Sequence, residues 1–229
     1  MAEEIINGAL YIVSTPIGNL EDITLRALRI LKSVDFIAAE DTRKTKILLN
    51  HYGIEKELIS YYQFNELKRI PEIINKLKSG KSVAVVSDAG TPGISDPAYR
   101  LVKKAVEEEI KIIPIPGASA LLSALVVSGL PTDSFVFEGF LPHKKGRKTK
   151  LEKLKSEERT IILYESPHRI LKTLHEILET LGDRKITVAR EITKKFEELM
   201  YGRVSDVIRQ LETRTVQGEF VIVLSGNEN

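Results

Sequence analysis

The sequence contains no cysteine and no tryptophan in 229 residues. Without cysteine the chain cannot form a disulfide framework, a thiolate zinc site, an iron–sulfur cluster or a cysteine nucleophile. Long hydrophobic runs are also missing: the longest apolar stretch, residues 120–130, is interrupted by two serines and a glycine and is too short to span a bilayer. Neither sign of charge dominates, since 34 Lys and Arg stand against 32 Asp and Glu, so the overall charge does not favour nucleic-acid binding.

The overall composition is that of a folded globular protein. Hydrophobic residues make up 42% of the chain and charged residues 29%, which is unlike a disordered tail or a fibre. Residues 1–4 read Met-Ala-Glu-Glu, which is acidic where a secretory signal would be basic. We therefore expect a cytoplasmic protein with no membrane partner, large enough for one large domain or two small ones.

Strand and helix patterns alternate in the first half of the chain. Strand-like apolar runs occupy residues 9–14, 36–39, 58–62, 82–87 and 111–115. Helical spacing occupies residues 24–32, 45–51, 71–79 and 96–108, with Pro71 in a first turn and Asp96-Pro97 as a helix start. This alternation predicts an α/β domain with a mostly parallel sheet over residues 1–117.

The second half has more strand patterns than helix patterns. Strands are predicted at residues 134–139, 160–165, 186–189, 199–204 and 220–224. One strongly amphipathic helix is predicted at residues 168–181, with Ser166-Pro167 as its start. Consecutive strands without intervening helices favour antiparallel pairs, so residues 118–229 are predicted to form a second α/β domain with a mixed sheet.

Three loops rich in glycine and proline follow strands of the first half, at residues 14–19, 87–96 and 114–120. Ligands of open α/β sheets bind beyond the carboxyl ends of the strands, so the three loops together favour a small-molecule cleft, although each alone could be a simple turn. None contains a phosphate-binding loop or a G-x-G-x-x-G motif. Asp88 and the nearby amides suit a ligand with ribose hydroxyls and the charged ends of an amino acid, while capping of its own turn remains an equal alternative for Asp88.

Metal and serine-hydrolase sites are not indicated. The four histidines are scattered and none belongs to a zinc-binding helix motif, so we predict no metal site. Ser166 and His168 are close in sequence, but no G-x-S-x-G motif is present, and residues two apart on a turn rarely align as nucleophile and base.

A basic segment runs from Lys144 to Lys155, with seven Lys or Arg and the single acidic residue Glu152. A solvated helix face is the usual role of such a charge run. Its position between a Gly-Phe-Leu-Pro turn and a predicted strand favours contact with a phosphate backbone instead.

Six motifs, in family order along the chain, closely resemble the ribosomal RNA small-subunit methyltransferases, a family within the tetrapyrrole methylase (class III) superfamily. The motifs are STPIGNL from Ser14, AEDTR from Ala39, SDAGTP from Ser87, EGFLP from Glu138, YESPHR from Tyr164 and AREITK from Ala189. The resemblance extends from about Leu10 to Leu224, with one slight departure, a serine at position 14 where many relatives have proline.

This resemblance implies two α/β domains with S-adenosylmethionine in the cleft between them, usually in a homodimer. It also implies methyl transfer to the ribose 2′-hydroxyl of a cytidine in the decoding region of 16S rRNA, within the small ribosomal subunit. Transfer from a sulfonium needs alignment of two ligands and no metal. A ribose hydroxyl is a poor nucleophile, so a carboxylate or lysine nearby would accept its proton.

The resemblance and this chemistry together give candidate residues. The candidate proton acceptors are Glu40, Asp41, Asp88, Glu165 and Glu191, and the choice among them stays open. The expected cofactor contacts are Pro16, Asp88, Ala89, Gly90, Thr91, Ile94, Ser119, Ala120, Glu165, Ala189 and Arg190. The expected RNA contacts are Arg43, Lys144, Lys145, Arg147, Lys148, Lys150 and Arg169. Each carboxylate has a simpler alternative, an ion pair with a neighbouring arginine.

Two other functions remain open. The same fold could methylate a tetrapyrrole or another small molecule, although such relatives usually have Gly-Asp-Pro where this chain has Ser87-Asp88-Ala89. A non-enzymatic RNA-binding or ribosome-assembly protein could also retain the fold, and cofactor binding would distinguish it from an enzyme.

Overall fold

The structure is a computed structural model, and it describes residues 5–227. The acidic residues 1–4, on which the localisation prediction drew, lie outside this range. By its contacts the chain divides into two compact units, Met1–Ser119 and Ala120–Asn229. The boundary predicted from the sequence lies after residue 117, two residues earlier.

The sheet of the first unit is entirely parallel. Its strands are β1 (Leu10–Val13), β2 (Phe36–Ala39), β3 (Glu57–Ser60), β4 (Val83–Val86) and β5 (Ile112–Ile115). They lie in the order β3-β2-β4-β1-β5. The central strands are continuous apolar runs because helices cover both faces of the sheet. The predicted α/β class and mostly parallel sheet are confirmed.

Four helices accompany this sheet. They are α1 (Leu25–Ser33), α2 (Thr42–His51), α3 (Glu66–Lys78) and α4 (Tyr99–Glu107). Side chains cap the first two: the Thr24 hydroxyl accepts a hydrogen bond from the Ala27 amide, and Asp41 accepts one from the Arg43 amide.

Two predicted helix starts in the first unit are wrong. Pro71 lies inside α3, which begins at Glu66. A proline at position 71 has no N–H group to donate to the Leu67 carbonyl, four residues earlier in the helix. Leu67 is exposed in the first turn, where water can replace the missing hydrogen bond. Asp96 does not cap α4 either, because the helix begins at Tyr99 after the N-cap residue Ala98.

The sheet of the second unit is mixed, as predicted. Its strands are β6 (Phe135–Phe140), β7 (Thr160–Glu165), β8 (Lys185–Arg190), β9 (Glu198–Arg203) and β10 (Phe220–Leu224). They lie in the order β6-β7-β10-β8-β9. Only the β6–β7 pair among them is parallel, and β10 pairs antiparallel with both of its neighbours.

The helices of this unit are α5 (Ala120–Val126), α6 (Arg147–Leu154), α7 (Ile170–Leu181) and α8 (Val204–Glu212). Ser166 and Pro167 precede α7, whose N-cap is Arg169, so the predicted N-cap at Ser166 is wrong. Helix α8, which follows β9 without a break, was not predicted from the sequence. Most of the basic segment forms a helix, α6, and Lys144 and Lys145 lie in the turn before it.

Each unit has its own hydrophobic core. In the first unit helices cover both faces of the sheet, with Leu31 and Ile37 in one core and Leu10 and Ile73 in the other. In the second unit the fully buried face of α7 packs on the sheet. Over residues 5–227, none of the helices has the length and apolar character needed to cross a membrane.

Candidate functional site

The three glycine- and proline-rich loops of the first unit meet at one edge of its sheet. Parallel strands end at the same edge, which brings together the loops after β1, β4 and β5. The backbones of Thr15 and Gly90 exchange two hydrogen bonds of 2.9 and 3.0 Å. The Thr91 hydroxyl lies 2.8 Å from that of Ser14 and donates to the Ala118 carbonyl at 3.4 Å. Residues far apart in sequence therefore form one surface.

Glycine is needed where these loops pass closest to each other. A Cβ atom on Gly117 would lie 2.9 Å from the Cβ of Ser14, closer than two carbons can approach without a shift. Gly90 has a φ of 78°, and a Cβ there would lie 3.3 Å from Ile17. The two glycines thus permit the close approach of the loops that follow β1, β4 and β5.

Three of the predicted carboxylates form a connected cluster at this edge. The Asp88 amide donates to the Glu40 carboxylate at 3.2 Å, and the Asp41 amide donates to Oδ1 of Asp88 at 3.0 Å. The ammonium of Lys44 donates to Oδ2 of Asp88 at 2.7 Å. Asp88 therefore links the ends of β2 and β4, which differs from the alternative that it caps its own turn.

A fourth carboxyl, Asp96, belongs to the same cluster and was missed as a site residue. Burial raises its pKa to about 7, and the charges of Glu40 and Asp88 contribute in the same direction, against a hydrogen bond from Ser87. Ser95, directly before it, has a φ of 68°. The sequence signal for Asp96 was its place in the loop after β4, but its position before a proline suggested a helix cap instead.

The members of this cluster differ in how readily they hold a proton. Burial, with the neighbouring Asp88 charge, raises the pKa of Glu40 above its usual value, although the hydrogen bond from the Asp88 amide opposes this. Arg43 donates two hydrogen bonds to Asp41, at 3.0 and 2.7 Å, and holds the pKa of that carboxyl far below its usual range. Asp41 is thus permanently ionised at neutral pH, whereas Glu40 and Asp96 have an increased tendency to take up a proton.

A cavity of about 230 Å³ adjoins the cluster. It is lined by Thr15, Pro16, Leu20, Lys44, Thr45, Ile47, Leu48, Ser87 and Asp88. Of the residues expected to contact a cofactor, Pro16 and Asp88 line this cavity. Ala89, Gly90, Thr91 and Ile94 lie in the loop that follows Asp88, and Ser119 lies at the end of the unit.

In the second unit, Glu165 is enclosed by hydrogen bonds. Its side chain has no exposed surface. One carboxylate oxygen accepts from the Ser166 amide and from Arg169, both at 2.8 Å, and the other accepts from the Thr173 hydroxyl at 2.6 Å. Glu165 thus has the arginine partner that the ion-pair alternative requires, and its catalytic and cofactor-binding roles stay predictions.

Arg147, which was predicted to contact RNA, is largely buried. Its guanidinium is 6% exposed and bonds to Glu176 at 2.6 Å, to the Thr173 hydroxyl at 2.7 Å and to the Pro142 carbonyl at 3.2 Å. These bonds turn it inward from a segment whose lysines 144, 145 and 148 are exposed. Arg169 is similarly engaged, with Glu165 and with the Leu141 carbonyl.

The loop after β8 carries the remaining candidates. Glu191 has a φ of 50°, and its Oε1 accepts from Lys194 at 2.9 Å and from the Glu219 amide at 2.8 Å. Burial acts to raise its pKa, but these hydrogen bonds outweigh it and hold the pKa below its usual value. Arg190 donates to the Gln217 carbonyl at 2.6 Å, and Ala189 is buried in β8. Glu191 is thus an ionised partner of Lys194.

The lysines of the basic segment are largely available. Lys144, Lys145 and Lys148 are exposed, while Lys150 forms an ion pair with Glu138. A cavity of about 430 Å³ between α6 and α7 has Lys144, Lys148, Lys155, Lys172 and His143 on its rim. Within residues 5–227, no group of three or more His, Asp or Glu residues is arranged to hold a metal ion.

The fold and sequence together define the class of protein. The family model for Tetrapyrrole (Corrin/Porphyrin) Methylases matches residues 9–208, and the chain belongs to this family of methyltransferases. Solved structures agree at the level of the fold. The cobalt precorrin-4 methyltransferase superposes with a TM-score of 0.69 at 18% identity, covering 95% of each chain. The uroporphyrin-III C-methyltransferase of Thermus thermophilus, complexed with S-adenosyl homocysteine, has a TM-score of 0.66 at 18% identity, covering 94% of this chain and 96% of that one.

Relatives with higher sequence identity indicate a particular group of methyltransferases within this family. The chain is 54% identical over 221 residues to ribosomal RNA small subunit methyltransferase I of Thermotoga maritima, covering 96% of this chain and 100% of the relative. It is 51% identical over 223 residues to the protein of the same name from Bacillus subtilis, covering 97% and 76%. The resemblance inferred from six motifs is therefore confirmed.

Proposed function

We propose that this protein transfers the methyl group of S-adenosylmethionine to the ribose 2′-hydroxyl of a cytidine in the decoding region of 16S rRNA. The observation that carries the proposal is the 54% identity, over nearly the whole chain, to a relative named for methylation of small-subunit rRNA. The carboxylate cluster at the carboxyl edge of the first sheet is compatible with it, because methylation of a hydroxyl requires a proton acceptor.

The proposed cofactor contacts are Pro16, Asp88, Ala89, Gly90, Thr91, Ile94, Ser119, Ala120, Ala189 and Arg190. Asp88 is central among them, because it lines the cavity beside the cluster. Within residues 5–227, each of its oxygens accepts one hydrogen bond, from Asp41 or from Lys44, and retains a lone pair for a ligand donor such as a ribose hydroxyl or an ammonium group.

The proposed reaction is an in-line displacement. The 2′-oxygen forms a bond to the methyl carbon as the bond from that carbon to sulfur breaks, which leaves S-adenosylhomocysteine and a methylated ribose. The hydroxyl proton passes to a carboxylate. Asp41, paired with Arg43, and Glu191, paired with Lys194, are poor acceptors because hydrogen bonds stabilise their ionised forms. Glu40 and Asp96 are better suited, since an acceptor works best when its pKa is near the operating pH.

The proposed RNA contacts are the exposed lysines 144, 145 and 148, together with Arg43. Lys155 and Lys172 join them on the rim of the cavity between α6 and α7. A row of lysines binds the phosphate backbone without reading base identity. We further propose that the protein acts as a homodimer in the cytoplasm, which sedimentation of the purified protein and cell fractionation would test.

A label-transfer assay tests the proposed function. Methyl-tritiated S-adenosylmethionine is supplied with assembled small ribosomal subunits, naked 16S rRNA and a tetrapyrrole precursor in parallel. Label in 16S rRNA that maps to a cytidine ribose supports the proposal. Label only in the tetrapyrrole contradicts it in favour of the small-molecule alternative. Absence of label in all three, with cofactor binding also absent, favours a non-enzymatic RNA-binding protein.

A further inference from the structure

A second cavity of the first unit lies on the other side of helix α2. Its volume is about 560 Å³, within the usual range for ligand pockets. It is lined by Thr42, Arg43, Lys46, Leu49, Asn50, Ile54, Glu55, Lys56 and Leu58, and we call it the α2–β3 groove. Of these residues, only Arg43 has a role in the proposed function.

Helix α2 separates this groove from the carboxylate cluster. Arg43, Lys46 and Asn50 are spaced three and four residues apart, so they share one face of the helix. Lys44, Thr45 and Leu48 line the smaller cavity that contains Asp88. A ligand in the groove would therefore lie within one helix diameter, about 10 Å, of the cluster.

The groove is cationic. Among the nine lining residues, Arg43, Lys46 and Lys56 are positive and only Glu55 is negative. Neither Lys46 nor Lys56 forms an ion pair with any residue between 5 and 227, whereas the other exposed lysine of α2, Lys44, is paired with Asp88. Two lysines that line one cavity without an acidic partner among residues 5–227 suit an anion such as a phosphodiester.

The floor of the groove is apolar. Leu49 and Ile54 are 2% and 5% exposed, and Leu58 of the edge strand β3 is half-buried. The Arg43 guanidinium is held by two hydrogen bonds to Asp41, which fixes its plane at the end of the groove nearest the cluster. These features suit an unstacked base: an apolar floor, a guanidinium plane that is held in place, and the side-chain amide of the exposed Asn50.

We propose that the α2–β3 groove binds a nucleotide of the single-stranded RNA substrate that neighbours the methylated nucleotide. Its phosphate contacts Lys46 and Lys56, and its base packs against the half-buried Leu58 beside the Arg43 guanidinium. This inference rests on the proposed function and adds to it a site that selects RNA by its backbone and by an unstacked base. Charge complementarity favours RNA over an apolar peptide, which would leave the two lysines without a partner.

The first test removes the two charges. The double variant Lys46→Ala/Lys56→Ala is compared with Lys68→Ala/Lys103→Ala, which loses the same charge from exposed positions on α3 and α4. With 16S rRNA as substrate, we expect a roughly tenfold higher KM for the groove variant and little change in kcat. The slope of log affinity against log salt should fall by about 0.7, for one phosphate that is no longer neutralised on a single strand. Calorimetry with S-adenosylmethionine should give wild-type affinity.

A second variant tests the groove without removing a lysine. Asn50→Glu places a negative charge on the α2 face of the groove, and Asn75→Glu places the same charge on an exposed position of α3. We expect only Asn50→Glu to raise the KM for RNA. Thermal unfolding of each variant checks that the fold is retained.

Three results would overturn the inference. If wild type labels RNA and both groove variants match their controls, the groove takes no part in RNA binding while the proposed function stands. If the groove variants change the sedimentation of the protein but leave the KM for RNA unchanged, the groove is a contact between copies of the chain. If wild type transfers no label to RNA, the proposed function and this inference fail together.

Discussion

Glu40 and Asp96 illustrate how the environment of a side chain determines its chemistry. Burial raises the pKa of both, and each lies close to other carboxylates, with Asp88 acting on both. Asp41 follows Glu40 directly, yet Arg43 lowers its pKa. Two adjacent acidic residues are thus shifted in opposite directions, and only those with a raised pKa are suited to exchange a proton at neutral pH.

Asp96 should make the stability of the protein depend on pH. Its pKa of about 7 in the folded state lies above the value of 3.8 for an unperturbed aspartate. The stabilisation is therefore complete below about pH 4 and is lost as the pH rises through 7. Asp96→Asn mimics the protonated form, so we expect it to match wild type near pH 4 and to unfold at a higher temperature near pH 8. The difference should be below about 4 kcal/mol, because the partly exposed side chain is screened by solvent.

Thermal unfolding monitored from pH 4 to pH 8 measures this effect. Asp133→Asn, at an exposed loop position, is the matched control and should follow wild type throughout. Parallel curves for Asp96→Asn and wild type would show that Asp96 does not titrate in this range. In that case, the pH dependence of the methyl-transfer rate over the same range would not be assigned to the Asp96 carboxyl.

Arg147 shows that a cation within a basic segment can belong to the interior. It connects the turn at Pro142 to Thr173 and Glu176 of α7, and it lies 4.0 Å from the buried carboxylate of Glu165. The bonds to Arg147 hold the start of α6 against α7. The neighbouring lysines are thereby oriented toward solvent.

Arg147→Ala should strongly destabilise the protein. The change leaves Glu165 with one cation fewer and removes a bond from Thr173, and breaking a buried charge network costs about 3 kcal/mol or more. Urea denaturation measures the loss. Lys148→Ala, one residue along the same helix but exposed, should change the free energy of unfolding by less than about 0.5 kcal/mol. Equal effects of the two substitutions would contradict the role of Arg147 as a structural anchor.

At the scale of elements, the close approach of loops brings the candidate site together. The loops after β1 and β5 pass so closely that position 117 has no room for a side chain. The backbone of Gly117 itself does not require glycine, because its φ is not left-handed. The restriction comes from Ser14 across the gap.

Gly117→Ala should therefore weaken cofactor binding through overpacking, which typically costs 1–3 kcal/mol. The added methyl group would meet the Cβ of Ser14 at 2.9 Å and push the two loops apart. Removing that Cβ in Ser14→Gly/Gly117→Ala should recover much of the lost stability and affinity. Calorimetry with S-adenosylmethionine and thermal unfolding measure both variants. A single variant with wild-type affinity would show that the loops can separate without cost.

Helix ends were harder to predict than helices or strands. The limits of β2, β7 and β10 were predicted to the residue, because short apolar runs bounded by polar residues give a strong strand signal. Three prolines, Pro71, Pro97 and Pro167, were interpreted as helix starts, and none of them begins a helix. Proline restricts the backbone but does not by itself determine where the first hydrogen bond of a helix forms.

Across the whole molecule, the net charge of +2 conceals a strongly uneven distribution. Exposed lysines concentrate on α6 and its preceding turn, while carboxylates concentrate at the carboxyl edge of the first sheet. Interactions between surface charges are screened within about 10 Å at 0.1 M salt, so a ligand responds to the local charge rather than to the total.

Replacing Lys144, Lys145 and Lys148 with alanine should weaken RNA binding and reduce its salt dependence. Three lost phosphate contacts lower the slope of log affinity against log salt by about 2 to 3. Filter binding of 16S rRNA at several salt concentrations measures this slope. The control replaces Lys32, Lys68 and Lys103, which are exposed on helices of the other unit. If both triple variants lose the same affinity, the basic segment acts only through total charge.

The sequence by itself determined the α/β class, the parallel and mixed sheets, the order of most elements and the family. Periodic apolar patterns and long motifs lie within short stretches of sequence, so they can be recognised without knowing which distant residues are in contact. It also identified the loops at residues 14–19, 87–96 and 114–120, since parallel strands end at the same edge. Tertiary structure alone decided that Glu165 and Arg147 are buried partners, that Asp96 joins Glu40 and Asp88, and that Lys46 and Lys56 line one groove. The burial and the pKa of these side chains depend on residues that lie tens of positions away in the sequence. A local sequence pattern does not show which of those residues will be in contact in the folded protein.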